Sequence, residues 1–113
     1  MRVQLDLTFR ALADPTRRAI LAQLAGGEVS VTALTERSDL TQPAISKHLK
    51  VLERAGLVSR RQDAQRRLCR LEAAPLLTAT RWLSDYRQFW ATSFDQLDAL
   101  LDNLQKEEGK HDK

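Results

Sequence analysis

Apolar residues in the first half of the chain recur at three- and four-residue steps, the spacing of helices that bury one side. Residues 4–12 carry several apolar side chains with little clean periodicity, and we interpret them as a short helix. The second segment begins at Asp14, a residue that favours the N-cap position, and continues with Pro15, which the first turn of a helix tolerates. Its apolar stripe leads us to expect Arg17 and Arg18 to face outward.

Two further helices follow close together in the sequence. Residues 31–37 predict a short helix, and a turn of three residues leads into a longer helix over 41–56. Thr41 is a suitable N-cap, and Gly56 supplies the left-handed residue that closes a helix. The longer helix is apolar on one side and mostly basic on the other. Two helices joined by so short a turn have the spacing of a helix-turn-helix.

The pattern then changes from helical to alternating, which indicates strands. Residues 57–62 and 67–71 predict two short strands around a polar tip at 63–66. A β-hairpin in this position, directly after a helix-turn-helix, is typical of the wing of a winged helix. The earlier stretch 28–30 is expected to be a connector.

Helical spacing returns near Pro75 and predicts a long helix over about 79–105, followed by a charged tail at 106–113. Five of the six aromatic residues lie between Trp82 and Phe94. Because a monomer of this size has little else to cover such a stripe, a subunit interface is its best explanation. The predicted fold is a single winged helix-turn-helix domain over 1–113, mainly α with a small β-hairpin, whose last helix is expected to join two copies.

Composition and charge place a polyanion-binding surface in the middle of the chain. The 113 residues carry a net charge of +3, and residues 41–71 alone contain eight basic and two acidic side chains. Basic patches of this kind suit nucleic acid. No apolar run has the ~20 residues of a membrane span. Cys69 is the only cysteine, which excludes an intramolecular disulfide and suits a reducing cytoplasm.

Three strings in the chain resemble the ArsR family of bacterial winged-helix repressors. They are ADPTRRAIL at 13–21, TQPAISKHLKVL at 41–52 and AGLV at 55–58. The resemblance extends from about Leu5 to Leu104. It implies a homodimer built from the first and last helices, which represses transcription by binding double-stranded operator DNA.

The resemblance also carries an expectation about metals. Founding members of the family bind metal through a Glu-Leu-Cys-Val-Cys-Asp-type string, which corresponds here to residues 28–33. Ser30 and Thr32 stand at the thiolate positions, and Ala33 stands at the Asp position. Neutral hydroxyls are poor ligands for soft metals. The family's second metal site uses Asp and His on the last helix, where this chain has no histidine, so we expect no metal and no cofactor.

Side chains around the longer helix and the wing are predicted to contact DNA. Gln can pair with adenine and Lys with guanine in the major groove, which assigns base contacts to Gln42 and Lys47. Hydroxyls and wing arginines suit phosphate, although a solvated polar face is the alternative explanation. The roles of Arg60 and Arg61 are left open. The predicted DNA-contacting residues are Thr41, Gln42, Pro43, Ser46, Lys47, Lys50, Arg66 and Arg67.

A second set of apolar side chains is predicted to form the dimer interface. It comprises Leu5, Phe9, Leu83, Tyr86, Trp90, Phe94, Leu97 and Leu101. A pocket for an unidentified apolar inducer within this interface is an open alternative.

The function predicted from the sequence is a homodimeric, metal-independent repressor that binds a palindromic operator. One alternative keeps the fold but makes it a small-molecule or thiol sensor, the latter through Cys69, whose pKa neighbouring arginines could lower. Another is a protein-interaction module, for which Gln42→Ala and Lys47→Ala would leave function untouched. His48 is expected to be a partly buried, hydrogen-bonded residue. No catalytic pair or phosphate-binding loop indicates an enzyme.

Overall fold

The structure is a computed structural model that describes residues 2–89, 95–96 and 98–104, with the side chains of residues 2 and 3 left out. Up to Ser84 it contains five helices and three strands. They are α1 (Arg2–Leu12), α2 (Pro15–Leu24), β1 (Val29–Ser30), α3 (Val31–Glu36), α4 (Gln42–Arg54), β2 (Val58–Asp63), β3 (Arg66–Leu71) and α5 (Ala74–Ser84). The predicted mainly helical winged helix-turn-helix is confirmed.

The chain divides into two compact units, one up to Thr80 and the other from Arg81 onward. The first unit has a continuous core, because each of its helices turns an apolar stripe inward. Its most deeply buried large side chains come from α3, α4 and the residues just after α4. They are Leu34, Ile45, Leu49, Leu52 and Leu57.

The sequence prediction for α2 is confirmed at its start and wrong about one side chain. Asp14 is the N-cap, and its carboxylate accepts a hydrogen bond from the Arg17 backbone N–H. The Arg17 side chain is half-buried rather than fully outward-facing, because its guanidinium turns back and donates to the main-chain carbonyls of Arg10 and Ala11 at the end of α1. These carbonyls belong to the last turn of α1, where backbone acceptors lack a full set of intrahelical partners; the Arg10 carbonyl also accepts from the Ala13 backbone N–H at 3.3 Å. Arg18 is exposed as predicted, and it donates to the Leu12 carbonyl.

The predicted hairpin is part of a three-stranded antiparallel sheet with strand order β1-β3-β2. The expected connector at 28–30 is therefore corrected, because Val29 and Ser30 pair with Cys69 and Leu68. The tip is also tighter than predicted: Asp63 pairs with Arg66, so the turn consists of residues 64 and 65 alone. Ala64 adopts a φ of 56°, in the left-handed region that two-residue hairpin turns require.

The continuous helix predicted over about 79–105 is wrong in its bounds. Helix α5 begins at Ala74 and ends at Ser84, where the backbone N–H groups of Asp85 and Tyr86 bond to carbonyls three residues earlier. Such bonds tighten the last turn and end the regular helix. Residues 87–89, 95–96 and 98–104 are again helical. Within the described ranges, no helix has the length and hydrophobicity to cross a membrane.

Candidate nucleic-acid interface

Helix α4 is fixed in place by local signals at both ends. The Thr41 hydroxyl accepts from the Ala44 backbone N–H at 3.4 Å, and Pro43 occupies the first turn. Gly56 has a φ of 75°, which a glycine adopts without steric cost. Its ideal Cβ position lies 3.4 Å from the Pro75 ring, so a side chain there would contact that ring, and the positive φ is what strains any other residue. These features set the length and direction of the helix.

The two sides of α4 are chemically distinct. Ile45, Leu49 and Leu52 are at most 1% exposed and anchor the helix in the core. The polar side leaves Gln42, Lys47 and Lys50 exposed and Ser46 half-buried. A helix held on one side by apolar packing, with amide and ammonium groups on the other, can lie in a major groove and meet base edges.

An open cleft joins the start of α4 to the wing. Its volume is about 430 Å³, and its lining includes Gln42, Arg66 and Arg67. Ser30, the N-cap of α3, and Thr32 on its first turn also line the cleft. The structure thus places the helix N-terminus and the wing arginines, which are far apart in sequence, on one surface.

The two arginines at the wing tip differ in their partners. Arg66 donates to the Asp63 carboxylate at 3.0 Å, and both side chains are largely exposed. An exposed pair of this kind contributes about 0–1 kcal/mol and is readily exchanged for a phosphate. Arg67 is exposed and makes no ion pair within the part of the chain that the structure describes. Its charge is therefore available to a polyanion without loss of an internal contact.

Arg60 and Arg61, whose roles the sequence left open, both have carboxylate partners. Arg60 forms an ion pair with Glu53 on α4. Arg61 donates two hydrogen bonds to Glu28, at 2.8 and 3.2 Å. This contact lowers the pKa of the Glu28 carboxyl and raises the pKa of the Arg61 guanidinium. These two arginines attach the sheet to the rest of the unit, a role that the sequence did not reveal because the partners lie 7 and 33 residues away.

Cys69 does not have the environment of a reactive thiol. It lies on β3 with 0% exposure, paired with Val29 and Arg60 on the neighbouring strands. Burial raises the pKa of this thiol, and the opposing effect of the Arg60 charge is smaller. The suggestion that neighbouring arginines lower this pKa is therefore wrong in direction, because desolvation of the thiolate outweighs attraction by the cation.

In the stretch that corresponds to the family's metal-binding string, one hydroxyl caps a helix and the other is exposed. Ser30 is the N-cap of α3, and its hydroxyl accepts from the Ala33 backbone N–H at 3.1 Å. Thr32 is exposed on the first turn of the same helix. Among the described residues, no three His, Cys, Asp or Glu side chains cluster closely enough to hold a metal ion. The donor chemistry of this stretch does not fit a soft metal.

The predicted dimer residues are distributed over both units. On α1, Leu5 and Phe9 are half-buried, and His48 on α4 is half-buried as expected, with a hydrogen bond from Arg17. In the second unit Leu83 is half-buried, while Tyr86 and Leu101 are about half exposed. Three further predicted interface residues lie outside the described residues. They are Trp90, Phe94 and Leu97.

The chain matches a known family model and several known transcriptional regulators. A family model described as a helix-turn-helix domain matches residues 12–61. The HTH-type transcriptional regulator Rv2034 of Mycobacterium tuberculosis is 39% identical over 87% of this chain and 89% of its own length. The transcriptional repressor SdpR of Bacillus subtilis is 32% identical over 69% of this chain and 87% of its own length.

Solved structures agree with these sequence relatives. The crystal structure of an ArsR family transcriptional regulator, RHA00566, superimposes with a TM-score of 0.73 at 34% identity, covering 80% of this chain and 94% of that one. The homodimeric winged helix-turn-helix DNA-binding domain of a Mycobacterium bovis protein, solved by NMR, gives a TM-score of 0.61 at 28% identity. That match covers 75% of this chain and 82% of the M. bovis chain.

Three observations point to one family: the sequence similarity over nearly the whole length, the shared fold, and the capped helix with an exposed basic side. The relatives are DNA-binding transcription regulators and not enzymes. The chain belongs to the ArsR family of winged helix-turn-helix transcriptional regulators.

Proposed function

We propose that this chain is a homodimeric repressor whose α4 helix reads a palindromic operator in the major groove, without a metal cofactor. The observation that carries the proposal is the single surface formed by the exposed side of α4 and the tip of the wing. Gln42 and Lys47 have the groups that recognise adenine and guanine edges. Thr41, Pro43, Ser46 and Lys50 surround them at positions suited to the DNA backbone.

The wing adds phosphate contacts beside the recognition helix. Arg66 and Arg67 line the same cleft as Gln42, so a DNA backbone that passes through this cleft meets both elements. Each phosphate neutralised by an arginine releases condensed counterions, which makes binding depend on salt concentration. In this proposal Arg67 contributes more than Arg66, because Arg66 must first release Asp63.

Two copies are needed for a palindromic operator. The apolar residues of α1 and of the second unit supply the proposed interface, and the M. bovis relative is a homodimer. Two-fold symmetry would place two α4 helices in successive major grooves about 34 Å apart. Repression, as in the B. subtilis relative, follows if the operator overlaps a promoter.

Selection of DNA from a random library by the purified chain tests the proposal. We expect the enriched sequences to share an inverted repeat whose half-site centres lie about one helical turn apart. When this site is placed over a reporter promoter, expression of the chain should lower the reporter signal. Enrichment of no common sequence would contradict the proposal, and so would a single half-site bound by a monomer.

Metal independence is tested on the same DNA. Because Ser30 is used as a helix cap and the chain presents hydroxyls in place of thiolates, Zn²⁺, arsenite or a chelator should change the operator affinity less than about twofold. A Ser30→Cys, Thr32→Cys variant is the matched comparison, since it restores the thiolates. Release of the unmodified protein from DNA by one of these metals would contradict the proposal.

A further inference from the structure

Arg17 connects three elements through one guanidinium group. Its Nε donates to the Ala11 carbonyl at 2.8 Å, and its Nη2 donates to the Arg10 carbonyl at 3.0 Å. Its Nη1 lies 3.3 Å from Nδ1 of His48. The side chain thus starts on α2, closes the C-terminal end of α1 and reaches the recognition helix α4.

The direction of the contact with His48 follows from the chemistry of the two groups. A guanidinium has only N–H donors, so Nδ1 of His48 must accept. The Asp14 carboxylate, 3.9 Å from the same Nδ1, is itself an acceptor and cannot replace Arg17 while the ring is neutral. Arg17 therefore supplies the hydrogen bond that joins His48 to α2.

The two helices that Arg17 joins have different proposed tasks. Helix α1 carries Leu5 and Phe9 of the proposed dimer interface, and α4 carries the groups proposed to read DNA. His48 directly follows Lys47, so a shift of His48 changes where Lys47 points. For a dimer to match two half-sites, the angle between its pairing helix and its reading helix must be fixed.

We infer that Arg17 is a positioning residue, which sets α4 relative to α1 through His48 and so fixes the spacing of the two reading helices; the inference rests on the proposed function. The rigid guanidinium of Arg17 donates hydrogen bonds to carbonyls at the end of α1 and to one acceptor on α4. A lysine cannot make the same set of bonds, because its ammonium is a single point of contact.

Neighbouring residues provide matched controls. Arg18 also lies on α2 and also closes α1, through one bond to the Leu12 carbonyl, but no hydrogen bond joins it to α4 within the described residues. His48→Asn places a carbonyl oxygen near Nδ1 and keeps an acceptor for Arg17, whereas His48→Leu keeps bulk and removes the acceptor.

Operator affinity, measured by fluorescence anisotropy with the selected DNA, is the first readout. We expect Arg17→Lys and His48→Leu to weaken binding at least about tenfold, and Arg18→Lys and His48→Asn to stay within about twofold. The double variant Arg17→Lys, His48→Leu should bind no more weakly than Arg17→Lys alone. Equal effects of Arg17→Lys and Arg18→Lys, or no recovery with His48→Asn, would overturn the inference.

Hydrogen–deuterium exchange of the free protein separates this inference from the proposed function. Arg17→Lys and His48→Leu should speed amide exchange in α4, while Arg18→Lys should speed it only near the end of α1. If the unmodified protein selects no DNA, the proposed function fails, and this exchange pattern still decides whether Arg17 holds α4. If Arg17→Lys does not fold, the two His48 variants, which leave Arg17 intact, decide instead. Unchanged exchange in α4 for His48→Leu would overturn the inference.

Discussion

Helix α4 and the aromatic segment after Thr80 both have strong apolar sides, but only the first is covered by its own unit. Ile45, Leu49 and Leu52 are at most 1% exposed. In the second unit Trp82, Tyr86 and Phe89 are 43%, 50% and 75% exposed, and the Trp82 and Tyr86 rings contact each other at a centroid distance of 5.4 Å. Large exposed apolar side chains in one segment mark an interaction surface. The part proposed to read DNA has its own buried core, while the aromatic segment leaves large apolar side chains exposed, as the proposed dimer interface requires.

The largest expected effect is the loss of folding free energy when a substitution leaves a cavity under α4. Leu49→Ala should lower the free energy of unfolding by about 2–5 kcal/mol, because Leu49 is fully buried and the core cannot close around the gap. The loss should be the same at low and high protein concentration. Tyr86→Ala should instead lower stability by an amount that depends on protein concentration, since it acts through association. Urea unfolding at two concentrations measures both, and a loss below about 1 kcal/mol for Leu49→Ala would break the comparison.

A charge placed on the aromatic segment should separate the dimer. Tyr86→Glu and Leu101→Glu would bury a carboxylate at the proposed interface, so we expect the dimer to dissociate at least about tenfold more readily, or ~1.4 kcal/mol. Ala22→Glu, on the exposed side of α2, is the control and should leave the dimer intact. Size-exclusion chromatography with light scattering gives the mass. A dimer unaffected by both glutamates would show that another surface joins the copies.

The covered core should also protect the single thiol. Because Cys69 has 0% exposure and burial raises the pKa of its thiol, a thiol reagent at pH 7.5 should react with the folded protein far more slowly than with the unfolded chain. Mild oxidant should not release DNA, and Cys69→Ser should bind the operator as the unmodified protein does. Rapid labelling, or oxidant-driven release that Cys69→Ser abolishes, would support a thiol sensor instead.

The smallest expected effect concerns the N-cap of α2. The backbone N–H of Arg17 lowers the pKa of the Asp14 carboxyl below its ordinary value of 3.8. The ionised form therefore stabilises the folded state above that value, and this stabilisation is lost as pH falls through the lowered pKa. Asp14→Asn keeps a cap but removes the charge, so it should be less stable than the unmodified protein at pH 7.

Thermal unfolding between pH 7 and pH 3 measures this difference. The gap between the unmodified protein and Asp14→Asn should narrow toward pH 3, whereas Asp6→Asn, exposed on α1, should show little difference at any pH. A gap that is constant across this range would mean that the Asp14 charge contributes nothing to the cap.

Sequence reasoning succeeded where the determinants are local. The caps at Asp14 and Thr41 and the glycine at Gly56 each act on their own helix end, so the bounds of α2 and α4 could be predicted. The exposed face of α4 followed from periodicity alone. The family resemblance named the same helix and is confirmed by the relatives.

The errors concern contacts between distant residues and local breaks that no glycine or proline marks. Strand β1 has only two residues, and its pairing of Val29 with Cys69 leaves no mark on either segment alone. Periodicity predicted Arg17 on the outward side of α2, but its long side chain turns back to α1 and α4. The end of α5 at Ser84 lacks a glycine or proline signal, and the wing turn places Ala64, not glycine, at a positive φ.

The salt dependence of operator binding tests the central claim most directly. Fluorescence anisotropy with the selected DNA should give a linear fall of log affinity with log salt for the unmodified protein. Arg67→Ala should lower the magnitude of that slope by about 1 without changing the preferred sequence, while Gln42→Ala should relax the preference at one base pair per half-site. The claim that α4 and the wing read DNA would be contradicted by one result. In that result, three variants bind operator DNA with the affinity and sequence preference of the unmodified protein: Gln42→Ala, Lys47→Ala and Arg67→Ala.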